Sequence, residues 1–542
     1  MGSTLKRPWQ LVVEEKRRLR QAAIQPYLSV TDAQLSPEEK LQHLSVSIRE
    51  ITDVNDIQGL LNLLSGGQLT AEELVRAYIK RAVVAHETCN CLTEIFFDDA
   101  VLRAQELDVH FKQTGKLIGP LHGIPITLKD QFDVKGYDST LGYVGRAFSP
   151  ATEDATLVTI LKKLGAVILA KTNLPQSIMW CETENPLWGL TVHPFNKAFT
   201  PGGSTGGESA LLAFHGSLVG FGTDIGGSIR IPSNMMGLYG LKPSSGRLPY
   251  RGVPVSTEGQ EHVPSVVGPM ARALSSIVDI TKATLSMQPE HLDPKCNRLP
   301  WRENVYRAVQ ALDRKLTIGV LYDDNVVKVH PPIERALKEL EEKIKQASHD
   351  IVPWNASDHA KCIDVMDRYY SADGGADVRQ DMEAGGEPYI PHVQALVNKG
   401  KAISVLDYWG LNIEKRTAQE QYIDKWNTTL SSSGRPVDAI LMPVMPHTAV
   451  PHRSCRWVGY TKIWNVLDYT ALSFPVSKVS TDMDPLTPPE YKPRNALDEW
   501  NWNLYDGEAM NGLPVNLQLV GRRHQEEEIL GIAAVVERLI CH

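Results

Sequence analysis

The stretch PGGSTGGESALLAFHGSLVGFGTDIGGSIRIPS, residues 201–233, places two glycine-flanked serines around a short apolar segment. Each serine, Ser204 and Ser228, follows directly after a pair of glycines. Glycines at such positions allow a sharp turn and leave successive backbone N–H groups uncovered, and these groups can stabilise a developing oxyanion. A Gly-Gly-Ser sequence is also typical of an ordinary turn, so the stretch has to be interpreted together with the rest of the chain.

A lysine in a strand-like segment is the second informative feature. Lys129 ends the apolar run GIPITLK within PLHGIPITLKD (120–130), and this run predicts a strand that carries the ammonium group into the interior. Burial disfavours the charged form and lowers the pKa of a lysine, so that the neutral amine can accept a proton. The alternative is a lysine at the end of a strand that pairs with Asp130 at the surface.

Two other motifs in the same stretch are weaker. Residues 202–206 fit G-x-S-x-G, the nucleophile elbow, but that motif requires a preceding strand, and HPFNKAFTP (193–201) is polar and broken by proline. Gly220, Gly222 and Gly226 resemble a dinucleotide fingerprint, but the last glycine is spaced one residue too far. Neither pattern favours a cofactor-binding site or an elbow.

Composition excludes several classes of protein. The 542 residues are 42% hydrophobic and 22% charged, which is typical of a soluble globular protein with a large core. A net charge of −8 argues against a general nucleic-acid binder. The seven scattered cysteines favour free thiols in a reducing compartment. Because the chain has neither an apolar signal segment nor a run of about 18 apolar residues, we expect a cytoplasmic protein without a transmembrane segment.

The pattern of periodicity divides the chain into two parts. Residues 1–69 are predicted to form an N-terminal helical extension. Its basic amphipathic helix at 11–24 is compatible with a membrane surface, but a docking or dimer helix is favoured because the apolar face is narrow. Residues 70–542 are predicted to form a single α/β domain. Its apolar runs, which alternate with helical segments, predict a mixed, mostly parallel sheet with helices on both faces; they are AVILAK (166–171), KLTIGVLY (315–322), HDIVPW (349–354), AILMPV (439–444) and PVNLQLVG (514–521).

Taken together, these blocks resemble the amidase signature family from about residue 70 to the C-terminus. The resemblance includes the 201–233 stretch, KTNLPQ (171–176), GLKPSSGRLP (240–249) and GLPVNLQLVGRR (512–523). The blocks are most similar to fungal acetamidase-type amidases, which are related to fatty acid amide hydrolases. The resemblance implies an enzyme that hydrolyses small-molecule carboxylic amides to an acid and ammonia or an amine, without a metal or a cofactor, and it allows a homodimer.

The resemblance also implies roles for individual residues. Ser228 matches the nucleophile, Ser204 the bridging serine with an unusual cis peptide bond, and Lys129 the base of a Ser-Ser-Lys triad. The N–H groups of the oxyanion hole are implied to come from residues Ile225, Gly226, Gly227 and Ser228.

Five further residues are expected near this centre. Thr205 stands where many members have a second serine, and we expect its hydroxyl to make a supporting hydrogen bond. Asp224 and Arg230 flank the nucleophile and are expected to pair and hold its loop. Ile178 and Met179 match residues that line or support the acyl pocket.

Two other enzymes remain possible at this level. One is the glutaminase-type subunit of an amidotransferase, which passes ammonia to a partner chain. The other is a serine esterase that uses Ser204 with a distant histidine, for which His122 and His447 are candidates, although ordinary structural roles are favoured for both. Small aliphatic, aryl and long-chain amides are all compatible with the sequence.

Overall fold

The computed structural model describes residues 8–28, 37–311 and 314–541. Within these ranges the chain forms thirteen strands, nineteen α-helices and three 3-10 helices. The strands are β1 (Leu92–Ile95), β2 (Pro125–Lys129), β3 (Val167–Thr172), β4 (Glu184–Asn185), β5 (Gly189–Leu190), β6 (Val219–Asp224), β7 (Tyr239–Lys242), β8 (Val266–Ala271), β9 (Thr317–Val320), β10 (Asp350–Pro353), β11 (Ala439–Pro443), β12 (Ala471–Lys478) and β13 (Pro514–Val520).

The helices lie between and around these strands. The α-helices are α1 (Trp9–Ile24), α2 (Pro37–Gln42), α3 (Val46–Asp53), α4 (Ile57–Ser65), α5 (Ala71–Cys89), α6 (Phe97–Thr114), α7 (Thr156–Lys163), α8 (Gly206–Ala213), α9 (Arg230–Met236), α10 (Leu274–Ser286), α11 (Glu303–Ala311), α12 (Pro331–Gln346), α13 (His359–Tyr370), α14 (Ala376–Gly385), α15 (Pro391–Val397), α16 (Val405–Thr428), α17 (Gly459–Val466), α18 (Ala496–Asn503) and α19 (Glu526–Cys541). The 3-10 helices are Gln25–Tyr27, Val144–Arg146 and Pro289–His291.

Eleven strands form one sheet in the order β1-β3-β2-β6-β8-β7-β12-β13-β11-β9-β10. Parallel pairing joins β3, β2 and β6 in one group and β11, β9 and β10 in another. The strands between the groups pair antiparallel, as does β1 at the edge. The prediction of an α/β fold with a mixed sheet is confirmed. The sheet was expected to be mostly parallel, whereas four of its strand pairings are parallel, in two groups, and six are antiparallel.

The parallel groups follow from the helices that connect their strands. The chain passes from β2 to β3 through α7 and from β9 to β10 through α12, the crossovers that parallel neighbours require. Strands β2, β3, β6 and β8 are buried at every residue. Burial on both faces explains why β2 and β3 appear in the sequence as largely apolar runs.

Helices α5 and α7 begin in different ways. Thr70 and Glu73 form a capping box at the start of α5. Helix α7 begins after Ala155 without a side-chain cap. The carboxylate of Asp154 instead accepts a hydrogen bond from the Lys135 N–H (2.9 Å) and pairs with Lys162 (2.7 Å).

The N-terminal helix α1 docks on the body of the protein. Lys16 is buried and forms salt bridges with Glu94 and with Asp138, the latter at 2.8 Å. The Arg20 guanidinium donates to the Leu92 carbonyl at 2.7 Å. These contacts favour the docking interpretation of the basic helix. The boundary at residue 70 stays a prediction, and none of the described helices is long and apolar enough to cross a membrane.

Candidate active site

Lys129 is the last residue of β2 and is fully buried. Its Nζ lies 2.7 Å from Ser204 Oγ and 3.0 Å from Thr223 Oγ1. Burial lowers the pKa of Lys129 to about 7, although the negative charges of Asp224 and Asp130 act in the opposite direction. The alternative of a surface pair with Asp130 is wrong, because Asp130 is itself buried.

Two residues that the sequence did not single out orient this lysine. Thr223 Oγ1 donates to Gln131 Oε1 at 2.7 Å, and Gln131 Nε2 donates to the Pro254 carbonyl at 3.0 Å. Because its only proton is used in this way, the Thr223 hydroxyl accepts a hydrogen bond from Lys129. One N–H of a neutral Lys129 then points at Thr223, which leaves the nitrogen lone pair available to Ser204.

Ser204 reaches Lys129 from the turn that precedes α8. The Gly203–Ser204 peptide bond is cis, as the resemblance implied. A Cβ on Gly203 would lie 2.6 Å from the Glu182 carbonyl oxygen, so only glycine fits at this close approach. Residues 191–205, all described, form no strand, and this absence removes the nucleophile-elbow interpretation.

Ser228 lies in the turn between β6 and α9 and is partly exposed at the wall of a cavity. Two carbonyl groups of this turn are held from outside. Tyr370 Oη donates to the Ile225 carbonyl at 3.1 Å, and Thr461 Oγ1 donates to the Gly226 carbonyl at 2.7 Å. Fixed carbonyls keep the peptide planes of the turn in one orientation, so the positions of the N–H groups beside Ser228 are set before any ligand binds.

Asp224 and Arg230 pair as expected and hold the two ends of this turn. Both side chains are fully buried, and two hydrogen bonds of 3.0 Å join them. Burial alone would raise the pKa of Asp224, but the charge and hydrogen bonds of Arg230, with further help from Lys242 and Asn465, hold it at about 2. The carboxylate therefore stays ionised over the whole physiological range.

A cavity of about 330 Å³ opens in front of Ser228. Ile178 and Met179 line it, as expected. Trp180 also lines it and stacks on His392, with the ring centroids 4.1 Å apart. Trp188 does not line it; its ring is buried in a small apolar cluster beneath α1, where Lys16 and Arg20 contact it.

Comparison with known proteins identifies the family. A family model described as Amidase matches residues 73–530. The chain belongs to the amidase family. This amidase is 57% identical over 490 residues to Amidase 1 of Gibberella moniliformis, and the alignment covers 90% of this chain and 94% of that relative. It is 38% identical over 516 residues to an acetamidase of Emericella nidulans, and that alignment covers 95% of this chain and 94% of the acetamidase.

The solved structures agree with the sequence comparison. A fatty acid amide hydrolase superposes on this amidase with a TM-score of 0.90 at 31% identity, covering 98% of this chain and 95% of that one. The resemblance to fungal amidases and acetamidases is therefore confirmed, and the protein is an amide hydrolase.

Two residues of the amidase are engaged differently from the expectation. The Gly227 N–H, implied as an oxyanion donor, already donates to Asp224 Oδ1 at 2.8 Å. The Thr205 hydroxyl, expected to make a supporting hydrogen bond, is buried without a partner among the described residues. Thr205 instead contributes its backbone N–H, which donates to the Ser228 carbonyl at 3.2 Å.

The candidate histidines of the amidase lie in ordinary structural positions. His122 Nδ1 accepts a hydrogen bond from the Ile118 N–H at 3.1 Å. His447 Nδ1 lies 2.7 Å from the Thr448 carbonyl oxygen. Neither ring contacts Ser204, whose hydroxyl bonds to Lys129.

A buried carboxyl group lies beneath the lysine strand. Glu208 of α8 is fully buried between Thr127 and Thr172, whose hydroxyls donate to its two oxygens, the second at 2.8 Å. Burial raises the pKa of Glu208 to about 8, which the two hydrogen bonds only partly oppose. No cation contacts it among the residues that the structure describes, and with a pKa of about 8 the group is mostly protonated at neutral pH.

Proposed function

We propose that this amidase cleaves a carboxylic amide through an acyl–Ser228 intermediate, with Ser204 and Lys129 as the proton relay. The observation that carries the proposal is the 2.7 Å contact between Lys129 Nζ and Ser204 Oγ. A lysine with a pKa of about 7 is largely neutral slightly above neutral pH and can then act as a general base. Since a serine hydroxyl is a weak nucleophile on its own, such a base is what the reaction needs.

In the first step Ser228 Oγ attacks the amide carbonyl carbon. Its proton passes to Ser204 Oγ while the Ser204 proton passes to Lys129 Nζ. The carbonyl π electrons move onto the oxygen, where the N–H groups of Ile225, Gly226 and Ser228 stabilise the negative charge. Gly227 contributes only if its N–H turns away from Asp224.

In the second step the carbon–nitrogen bond breaks. An amide nitrogen leaves only if it is protonated, and Ser204 donates that proton as it regains one from Lys129. Ammonia or an amine departs and the acyl group stays on Ser228 Oγ. A water molecule then attacks the ester by the same relay, which releases the carboxylic acid and restores all three residues.

The test is amide hydrolysis by single variants, measured as ammonia release from acetamide, hexanamide and benzamide. We expect Ser228→Ala to lose about 10⁶-fold in kcat. Ser204→Ala should lose about 10²–10⁴-fold, the range of general acid–base catalysis. Ser286→Ala, at the end of α10, is the matched control and should retain full turnover. Near-normal rates in Ser228→Ala would contradict the assignment of the nucleophile.

The same variants separate the two alternatives. An esterase with a histidine base would lose activity in Ser204→Ala but retain it in Lys129→Ala, whereas the relay loses activity in both. A glutaminase-type subunit would release ammonia from glutamine only in the presence of a second chain. A homodimer stays a prediction, which the mass of the protein in solution would test.

A further inference from the structure

The cavity beside Ser228 carries more positive than negative charge. Its charged lining side chains are Asp367, Lys399, Arg456 and Lys462. Lys462 forms a salt bridge with Asp367, and Lys399 Nζ lies 3.8 Å from the other oxygen of the same carboxylate. One carboxylate is thus shared by two ammonium groups. His392, which also lines the cavity, is neutral at pH 7 because burial lowers its pKa to about 4.

Arg456 is the cation that remains without a carboxylate. Among the residues that the structure describes, it forms no salt bridge. Its neighbour Arg453 differs, since that guanidinium is neutralised by Glu184 through hydrogen bonds of 2.6 and 3.0 Å. The whole chain has a net charge of −8, so the positive charge at this cavity is a local feature and not a reflection of the composition.

The Arg456 side chain is held in place although it is exposed. Its guanidinium carbon lies 3.3 Å from the centre of the Trp500 ring. The Trp500 ring is fixed in turn, because its Nε1 donates to the Ser454 carbonyl at 3.0 Å. A guanidinium stacked on an aromatic face keeps the donors along its edge free, and those donors match the two oxygens of a carboxylate.

An apolar wall accompanies these charges in the same cavity. It is formed by Ile178, Met179, Ile231, Trp457 and Val458. A volume of about 330 Å³ is at the small end of the range for ligand cavities. The cavity therefore suits a short apolar chain that carries an amide for Ser228 and a charged group for the lining cations.

We infer that the substrates are amides whose acyl chain ends in a carboxylate, and that Arg456 binds this carboxylate. The inference rests on the proposed function of Ser228. Monoamides of short dicarboxylic acids have the required chemistry, and adipamic acid, the monoamide of adipic acid, is an example. Lys399 also lines the cavity, and the local positive charge speeds the encounter with an anion.

The experiment compares three amides of matched length in the full-length enzyme. Adipamic acid carries the carboxylate, its methyl ester removes the charge, and hexanamide removes the whole group. We expect kcat/KM for adipamic acid to exceed that for the two neutral amides by about 10- to 100-fold, the range for hydrogen bonds to a charged group. Raising the salt concentration should reduce this preference.

Variants assign the preference to one side chain. Arg456→Gln should bring the ratio of kcat/KM between adipamic acid and hexanamide close to one, mainly through KM, and Arg456→Lys should restore part of it. Arg307→Gln is the matched control, because it removes an exposed arginine of α11 that does not line the cavity. Equal efficiency for all three amides in the wild type, or an equal ratio in Arg456→Gln, would overturn the inference.

Binding separates this inference from the proposed mechanism. Titration calorimetry of adipate into the Ser228→Ala variant measures recognition of the carboxylate without any turnover. We expect adipate to bind this variant and not to bind the double variant Ser228→Ala/Arg456→Gln. If the wild type hydrolyses none of the amides but adipate binding still depends on Arg456, the mechanism alone is contradicted. If the wild type hydrolyses the amides but adipate binding does not depend on Arg456, the inference alone is contradicted.

Discussion

Two buried lysines of this amidase have opposite surroundings. Lys16 of α1 lies between the carboxylates of Glu94 and Asp138, and these charges raise its pKa although burial lowers it. Lys129 of β2 contacts two hydroxyl groups, and burial lowers its pKa to about 7. Both side chains are removed from water, so burial alone does not decide their roles.

The difference lies in the charge of the groups in contact. A carboxylate within hydrogen-bonding distance keeps an ammonium ion protonated, and such a lysine can only anchor. Hydroxyl groups stabilise the ammonium ion less than water does, and a lysine among them gives up its proton near neutral pH. Lys16 therefore attaches the N-terminal helix, whereas Lys129 is suited to proton transfer. Four experiments test this contrast.

The largest effect is expected from removing the proton acceptor. Lys129→Met should reduce kcat by about 10²–10⁴-fold, the share of a general base. It should leave the midpoint of thermal unfolding unchanged or higher, because no ion pair is lost and a buried amine is replaced by an apolar chain of similar length. Turnover within about twofold of the wild type would show that Lys129 is not the base.

Removing the anchor should have the opposite outcome. Lys16→Met leaves Glu94 and Asp138 buried without their cation, which typically costs about 3–5 kcal/mol. We expect urea denaturation or limited proteolysis to show a loosened residue 8–28 segment, while the turnover of the folded enzyme is preserved. The double variant Lys16→Met/Glu94→Gln should recover part of the loss, and an unchanged stability in the single variant would contradict the anchoring role.

The pH dependence of turnover distinguishes the two lysines in the wild-type enzyme. Because only the neutral amine accepts a proton, kcat/KM should fall about tenfold per pH unit below the Lys129 pKa of about 7 and level off above it. Lys16→Met should show the same midpoint. A profile that stays flat from about pH 5 to 9 would be incompatible with a lysine base.

The smallest effect is expected at the hydroxyl that orients Lys129. Thr223→Val removes an acceptor of the ammonium ion, so the acid limb of the pH profile should move to lower pH. The loss of one neutral hydrogen bond corresponds to about 1 kcal/mol, or roughly fivefold in rate. Thr223→Ser should restore both values. A rate loss in Thr223→Val without any shift of the profile would indicate a purely structural role.

The sequence predicted the parts of this site that depend on local pattern. Short stretches of sequence were enough to recognise three of these parts: the apolar run before Lys129 and the glycine pairs before Ser204 and Ser228. The alternation of strands and helices was also visible in short stretches of the sequence, but it did not reveal which neighbouring strands would run antiparallel.

What the sequence did not reveal depends on contacts between distant segments. Thr223 meets Gln131 because β6 pairs with β2, and no periodicity connects the two residues. The hydrogen bond from Gly227 to Asp224 and the unpartnered Thr205 hydroxyl depend on the exact course of single turns. Arg456 and Asp367 reach the cavity from separate segments, so the charge at this cavity is visible only in the folded chain.

Glu208, beneath the strand that ends in Lys129, limits the conditions under which this part of the core is free of net charge. Lys129 loses its charge above about pH 7, and Glu208 acquires one above about pH 8. Between pH 4.5 and about 8, Glu208 is ionised in the unfolded chain but still protonated in the folded protein. The free energy of unfolding of the wild type should therefore fall by about 1.4 kcal/mol per pH unit relative to that of a Glu208→Gln variant. Thermal unfolding of both proteins across that range measures this loss, and parallel curves would contradict it. Rising pH therefore removes the charge of Lys129 and creates a charge on Glu208 in the same part of the core.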